Sequence, residues 1–112
     1  MITLKRVYET PAASDGTRIL VDRLWPRGLT KEKAQVDLWL KNLGPSTELR
    51  KWFGHDPDRW TAFKTKYRQE LKTKKPLLQK IETLAQHGPV TLLYGARDTE
   101  HNEAVVLKEY VD

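Results

Sequence analysis

Apolar residues recur along this chain with two different periods, and the switches between them divide it into strands and helices. Ile2, Leu4 and Tyr8 fall at alternating positions, which predicts a first strand over Ile2–Tyr8. Pro11 to Gly16 interrupts it, with Asp15-Gly16 as the turn signal. Arg18–Asp22 then carries Ile19, Leu20 and Val21 in a row, a short β-branched run that fits a strand covered on both faces. Val90–Tyr94 has the same character. Leu24–Thr30 reads as a loop containing Pro26 and Gly28, Thr30 can cap a short helical turn, and Val36–Leu40 fits either a strand or an extended segment.

Between these runs the period lengthens. Pro45-Ser46-Thr47 opens a helix through Leu49, Trp52 and Phe53, because a hydroxyl can accept from first-turn amides, and Gly54 stops it. Asp56-Pro57 repeats the start signal. Trp60, Phe63, Tyr67 and Leu71 then recur at spacings of three and four, a single apolar stripe. Pro76 separates this helix from another striped by Leu77, Ile81, Leu84 and Ala85, which Gly88-Pro89 ends. A last helix turns Ala104, Leu107 and Val111 inward, with Asp98 or Thr99 as its expected cap. The order strand, helices, strand, helix predicts an α/β fold, a small single domain over residues 1–112 with a mostly parallel sheet flanked by helices. No repeat or linker divides it. The direction of the first strand stays open, because its connection to the second is short for a parallel crossover.

Composition changes this picture in three ways. Length 112 is ordinary for one domain, enough to bury roughly two thirds of the unfolded surface without a covalent staple. Cysteine is absent, which removes thiol nucleophiles, disulfides and cysteine-ligated zinc. Lysine and arginine number 20 against 15 acidic residues, a net charge of +5 that makes polyanions plausible partners. Many of the lysines lie between Lys64 and Lys80, on what reads as a solvated helix face. The amino terminus has no signal-peptide core, and no stretch approaches the roughly 20 apolar residues of a membrane span. The expectation is a cytoplasmic protein with no membrane partner and an oligomeric state left open.

The residues with chemical potential cluster after two strands. One runs into Asp22-Arg23-Leu24-Trp25-Pro26-Arg27-Gly28, the other, ending at Tyr94, into Gly95-Ala96-Arg97-Asp98-Thr99-Glu100-His101-Asn102. In open α/β sheets ligands bind beyond the carboxyl ends of strands. If the two strands are parallel neighbours, Arg23, Arg27 and Arg97 converge there with Tyr94 and Asn102, and guanidinium groups suit phosphate or carboxylate. Trp25, between two arginines, is a stacking candidate, whereas Trp52 and Trp60 sit on stripes that predict core positions. Asp22, Asp98, His55 and His101 are the acid-base candidates. Each also has a structural use: an arginine can lock a loop through Asp22 or Asp98, Trp25-Pro26 can plug the sheet end, and Asp98 or His55 can cap. His55, His87 and His101 lack metal-ligand spacing, so no metal is expected, and no phosphate-loop, dinucleotide, nucleophile-elbow or nucleic-acid motif calls for a cofactor.

Three segments in order, Asp22 to Gly28, Pro45-Ser46-Thr47-Glu48-Leu49-Arg50-Lys51-Trp52-Phe53, and Thr91 to Asp98, resemble the motifs of the YeaO-like family (domain of unknown function 488). The resemblance spans nearly the full chain and implies a small bacterial-type α/β domain, but brings no established activity. Some members of the broader superfamily carry a Cys-His-Arg run near the start of the last helix. The matching positions here are Asn102, Glu103 and Ala104, so thiol chemistry does not transfer. Three readings follow. The first is a binding domain for a phosphate-bearing ligand, a nucleotide or nucleic-acid strand. The second is a hydrolase- or lyase-type enzyme acting on such a ligand. The third is an interaction module built on the Lys64–Lys80 helices or an apolar patch.

Overall fold

Four strands pair in parallel throughout the computed structural model, which describes residues 1–112. In chain order they are β1 (Ile2–Arg6), β2 (Thr17–Leu20), β3 (Leu38–Trp39) and β4 (Val90–Tyr94), and in space β1-β4-β2-β3. Ile2 and Thr17 both sit opposite Val90, so β1 and β2 flank the same central strand rather than each other. That answers the question the sequence left open. Residues 7–16 carry the chain back from β1 to β2 with only one 3-10 turn, Ala13–Asp15. An extended run of that length reaches roughly 33 Å, about twice what a five-residue strand spans.

Every residue of β4 is buried, as its unbroken apolar run requires. Alternate residues feed two cores. Ile2, Ile19, Val21, Val90 and Leu92 face the larger one, built from α2 (Thr47–Phe53), α3 (Trp60–Leu71), α4 (Lys75–His87) and α5 (Glu103–Val111). Val7, Leu20 and Leu93 face a smaller one, closed by Ala34 of α1 (Lys31–Ala34) with Trp25, Leu29 and Val36. No helix is long and apolar enough to cross a membrane.

Most helix ends follow the local chemistry. Thr30 caps α1 and Ser46 caps α2, each side chain accepting from an amide three residues on. Asp56-Pro57 begins a 3-10 turn, Pro57–Arg59, that runs straight into α3. Two expectations are corrected. The cap of α5 is Asn102, whose Oδ1 accepts from the Val105 amide, and not Asp98 or Thr99. Trp52 is 37% exposed rather than core. On a helix this short the buried stripe is Leu49 and Phe53, and Trp52 sits about 100° away from Phe53 around the axis. Arg59 and Lys66 lie over its ring at 5.3 and 5.2 Å, so the indole is engaged by cations instead. Trp60 packs on the core as expected, half-buried.

Candidate functional site

Because all four strands run the same way, the loops that follow them gather at one edge of the sheet. There they enclose a cleft of about 260 Å³. The first loop supplies Tyr8 and the second Asp22 to Arg27; α2 and the turn after it bring Arg50, Phe53 and His55. The loop from β4 to α5 completes the wall with Gly95, Ala96, His101 and Asn102, and α5 adds its first residue, Glu103.

The loop after β2 is fixed by hydrogen bonds. Arg23 donates from Nε to Pro45 O and from Nη2 to Gly44 O, each at 2.9 Å, so it ties two walls together without an ion pair. The Tyr8 hydroxyl donates to Arg27 O at 2.9 Å, and Trp25 Nε1 donates to Leu29 O at 2.8 Å. Trp25 meets Trp39 edge-on with centroids 5.4 Å apart, so the plug and the cleft wall are the same residue. By contrast the side chains of Arg27 and Arg50 are exposed and make no hydrogen bond or ion pair within the protein.

Asp22 is placed by the second parallel neighbour. Its Oδ2 accepts from the Gly95 amide at 2.8 Å, and a Cβ on Gly95 would approach that oxygen to 3.0 Å. Glu103, in the first turn of α5, faces the same carboxylate. Burial, reinforced by the charge of Asp22 and a side-chain hydrogen bond to it, pushes the Glu103 carboxyl well above the ordinary glutamate value. Two carboxyl groups thus stand together in the cleft wall, and burial together with the neighbouring Asp22 favours the neutral form of Glu103. A carboxyl raised in this way stabilises the fold fully below the ordinary glutamate value, and that contribution is lost as pH rises through the raised one. Glu103→Gln keeps a neutral group of the same shape. It is expected to match the wild type near pH 4 and to melt several degrees higher in alkaline solution. Parallel melting curves from pH 4 to 9 would contradict this.

Of the residues expected from the sequence, Asp22, Arg23, Trp25, Arg27, His55, His101 and Asn102 line the cleft. Asn102 is buried and spends its side chain on the α5 cap and on Asp98 O. Tyr94 is buried in the core, Arg97 is exposed, and neither lines the cleft. Asp98 lies outside it too and organises the loop: its carboxylate accepts from the Glu100 and His101 amides and meets His101 Nδ1 at 2.8 Å. The Glu100 amide first, then the His101 side chain, hold Asp98 below the usual carboxylate range, against a smaller opposing effect of burial. Sequence reasoning missed Arg50 and Glu103. Arg50 was hidden inside a helix read only for its apolar stripe. Glu103 stood in the resemblance as a mismatch, and only its tertiary neighbour gives it chemistry. No group of three or more histidine, aspartate or glutamate side chains converges as a metal cage.

Comparison with known proteins gives a consistent ancestry. The chain is 43% identical over 110 residues to the protein YeaO of Escherichia coli (strain K12), covering 98% of this chain and 96% of that one. It is 35% identical over 111 residues to Rv3073c of Mycobacterium tuberculosis (strain ATCC 25618 / H37Rv) and to Mb3100c of Mycobacterium bovis, covering 99% of this chain and 93% of each. All three relatives are described as uncharacterized. No solved structure gives a significant match. A family model described as the inactive DUF488-N3 subclade matches residues 1–112. The chain therefore belongs to the YeaO-like DUF488 proteins, within the subclade described as inactive.

Proposed function

We propose that this protein is a binding domain for a small phosphate-bearing ligand, of nucleotide size, held in the cleft at the carboxyl edge of the sheet. The observation that carries the reading is the convergence of Arg23, Arg27 and Arg50 on one concavity, with the last two unpaired inside the protein. Three guanidinium groups around one opening repel one another, and an anion relieves that repulsion while accepting their fork of donors. Of the arginines singled out from the sequence, Arg23 and Arg27 belong to this set, whereas Arg97 stands apart from it.

The enzyme reading has the Asp22–Glu103 pair in its favour, since two adjacent carboxyl groups, one with its neutral form favoured by burial, suit general acid-base work. The description of the subclade as inactive weighs against it, and binding is the reading adopted.

Because Arg27 and Arg50 are exposed, replacing both with alanine should alter stability by no more than about 0.5 kcal/mol each. Inorganic phosphate is expected to raise the melting temperature of the wild type by mass action, at low and at moderate salt. The Arg27→Ala/Arg50→Ala protein should lose that rise, and Arg97→Ala should keep it. A rise that disappears in moderate salt, or survives the double substitution, would reduce the site to diffuse positive charge.

A further inference from the structure

The cleft is not uniformly basic. Its half-buried residues include two carboxyl groups, Asp22 and Glu103, while its two unpaired arginines, Arg27 and Arg50, are exposed. A phosphate driven against the carboxyl pair would meet like charge, so it belongs at the outer, arginine-bearing part. What reaches the inner part must then be attached to the phosphate and must satisfy two carboxyl groups. An amine would suit the carboxyl groups but would bring a fourth cation beside three guanidinium groups. Neutral hydroxyl groups have no such cost, and a carboxylate accepting from sugar hydroxyls is an established mode of recognition.

We propose, building on the anion-binding reading, that the ligand is a phosphorylated polyol whose hydroxyls bond to the Asp22–Glu103 pair while its phosphate meets Arg27 and Arg50. Two further features fit. One oxygen of Asp22 is held by the Gly95 amide, which fixes the carboxylate without consuming all of its accepting capacity. The cleft, at about 260 Å³, lies just below the usual span of small-ligand pockets, roughly 300–1,000 Å³, so it suits one phosphorylated sugar more than a dinucleotide. The same chemistry occurs in free sugar phosphates and in the ribose phosphate of nucleotides.

Calorimetric titration of the full chain separates these. Ribose 5-phosphate is expected to bind about tenfold more tightly than inorganic phosphate, a difference of about 1.4 kcal/mol. Glu103→Ala should bring the two ligands level, and Glu103→Gln should restore part of the gap because an amide still donates and accepts. Adenosine 5′-monophosphate binding more tightly than both ribose 5-phosphate and its 2′,3′-dideoxy analogue would identify the nucleotide as the source, and ribose 5-phosphate binding best would identify the free sugar phosphate. Equal affinity of the wild type for phosphate and ribose 5-phosphate, with both lost in the Arg27→Ala/Arg50→Ala protein, would overturn the polyol assignment and leave the anion site standing. Absence of phosphate binding to the wild type would overturn both. The wild-type comparison needs no variant, so a Glu103→Ala protein that failed to fold would not obscure the result.

Discussion

Arg18→Ala is expected to destabilise the protein by roughly 3–5 kcal/mol, the range for breaking one side of a buried ion pair. Arg18 is 4% exposed, at the start of β2, beneath the crossover from β1. Its guanidinium pairs with Asp15 and also donates to Gln35 O and Ala34 O, so it joins the crossover to the carboxyl end of α1. Asp15 is itself buried and further held by Lys5 at 3.1 Å and by the Ala12 amide at 3.0 Å. Without Arg18, the aspartate keeps its desolvation but loses a principal counter-charge. Burial works to raise the Asp15 carboxyl, yet the Ala12 amide, Lys5 and Arg18 together outweigh it and hold the carboxyl below its ordinary value. A depressed carboxyl contributes stability that is present above the unfolded value and lost as pH falls through the folded one. The wild type's resistance to urea should therefore fall below about pH 4, and Arg18→Ala should reduce the share of stability lost there. A loss under about 1 kcal/mol with an unchanged acid profile would show that Arg18 is dispensable.

Gly16→Ala is the second large effect, and it comes from the backbone. Gly16 has φ 66° and ψ −136°, a conformation that side chains strongly disfavour. A Cβ there would sit 2.1 Å from the carbonyl oxygen of Pro89. That oxygen also accepts from the Thr17 amide at 3.0 Å, where β2 begins to pair with β4. Neither partner can yield without pulling apart the start of the central strand pairing. Adding the strain of the conformation to that of overpacking gives a cost of about 3 kcal/mol or more. Chemical denaturation of Gly16→Ala should show it as a fall in the unfolding midpoint with unchanged slope. A midpoint within error of the wild type would mean that the turn relaxes in a way this packing does not suggest.

The sequence was most legible where local chemistry decides conformation. Ser46, Gly54 and Asp56-Pro57 bound their helices because a hydroxyl, an αL glycine and a fixed φ act on neighbouring backbone whatever lies beyond. Ile19-Leu20-Val21 and Val90–Tyr94 announced strands buried on both faces because only such strands need apolar residues at every position. Trp52 was misread for the opposite reason: spacing tells which side chains share a face, but not how much of that face a short helix covers. The α5 cap was misplaced because Asp98, Thr99 and Asn102 are all good capping types, and loop geometry chooses among them.

The candidate site divides along the same line. Asp22, Arg23, Trp25 and Arg27 could be named from the sequence because they follow a recognisable strand end, and strand ends in a parallel sheet carry ligand loops. Arg50 and Glu103 could not, since each lies in a helix distant in sequence and acquires its role only from what stands opposite. By itself the sequence determined the α/β class, the buried strands, most helix boundaries and one wall of the cleft, because these depend on periodicity and on groups within a few residues of each other. The tertiary structure alone decided that β4 separates β1 from β2, that Arg97 lies away from the cleft while Arg50 enters it, and that Glu103 stands beside Asp22. Those outcomes depend on strand order and on charges brought together from distant parts of the chain, and no local pattern encodes either.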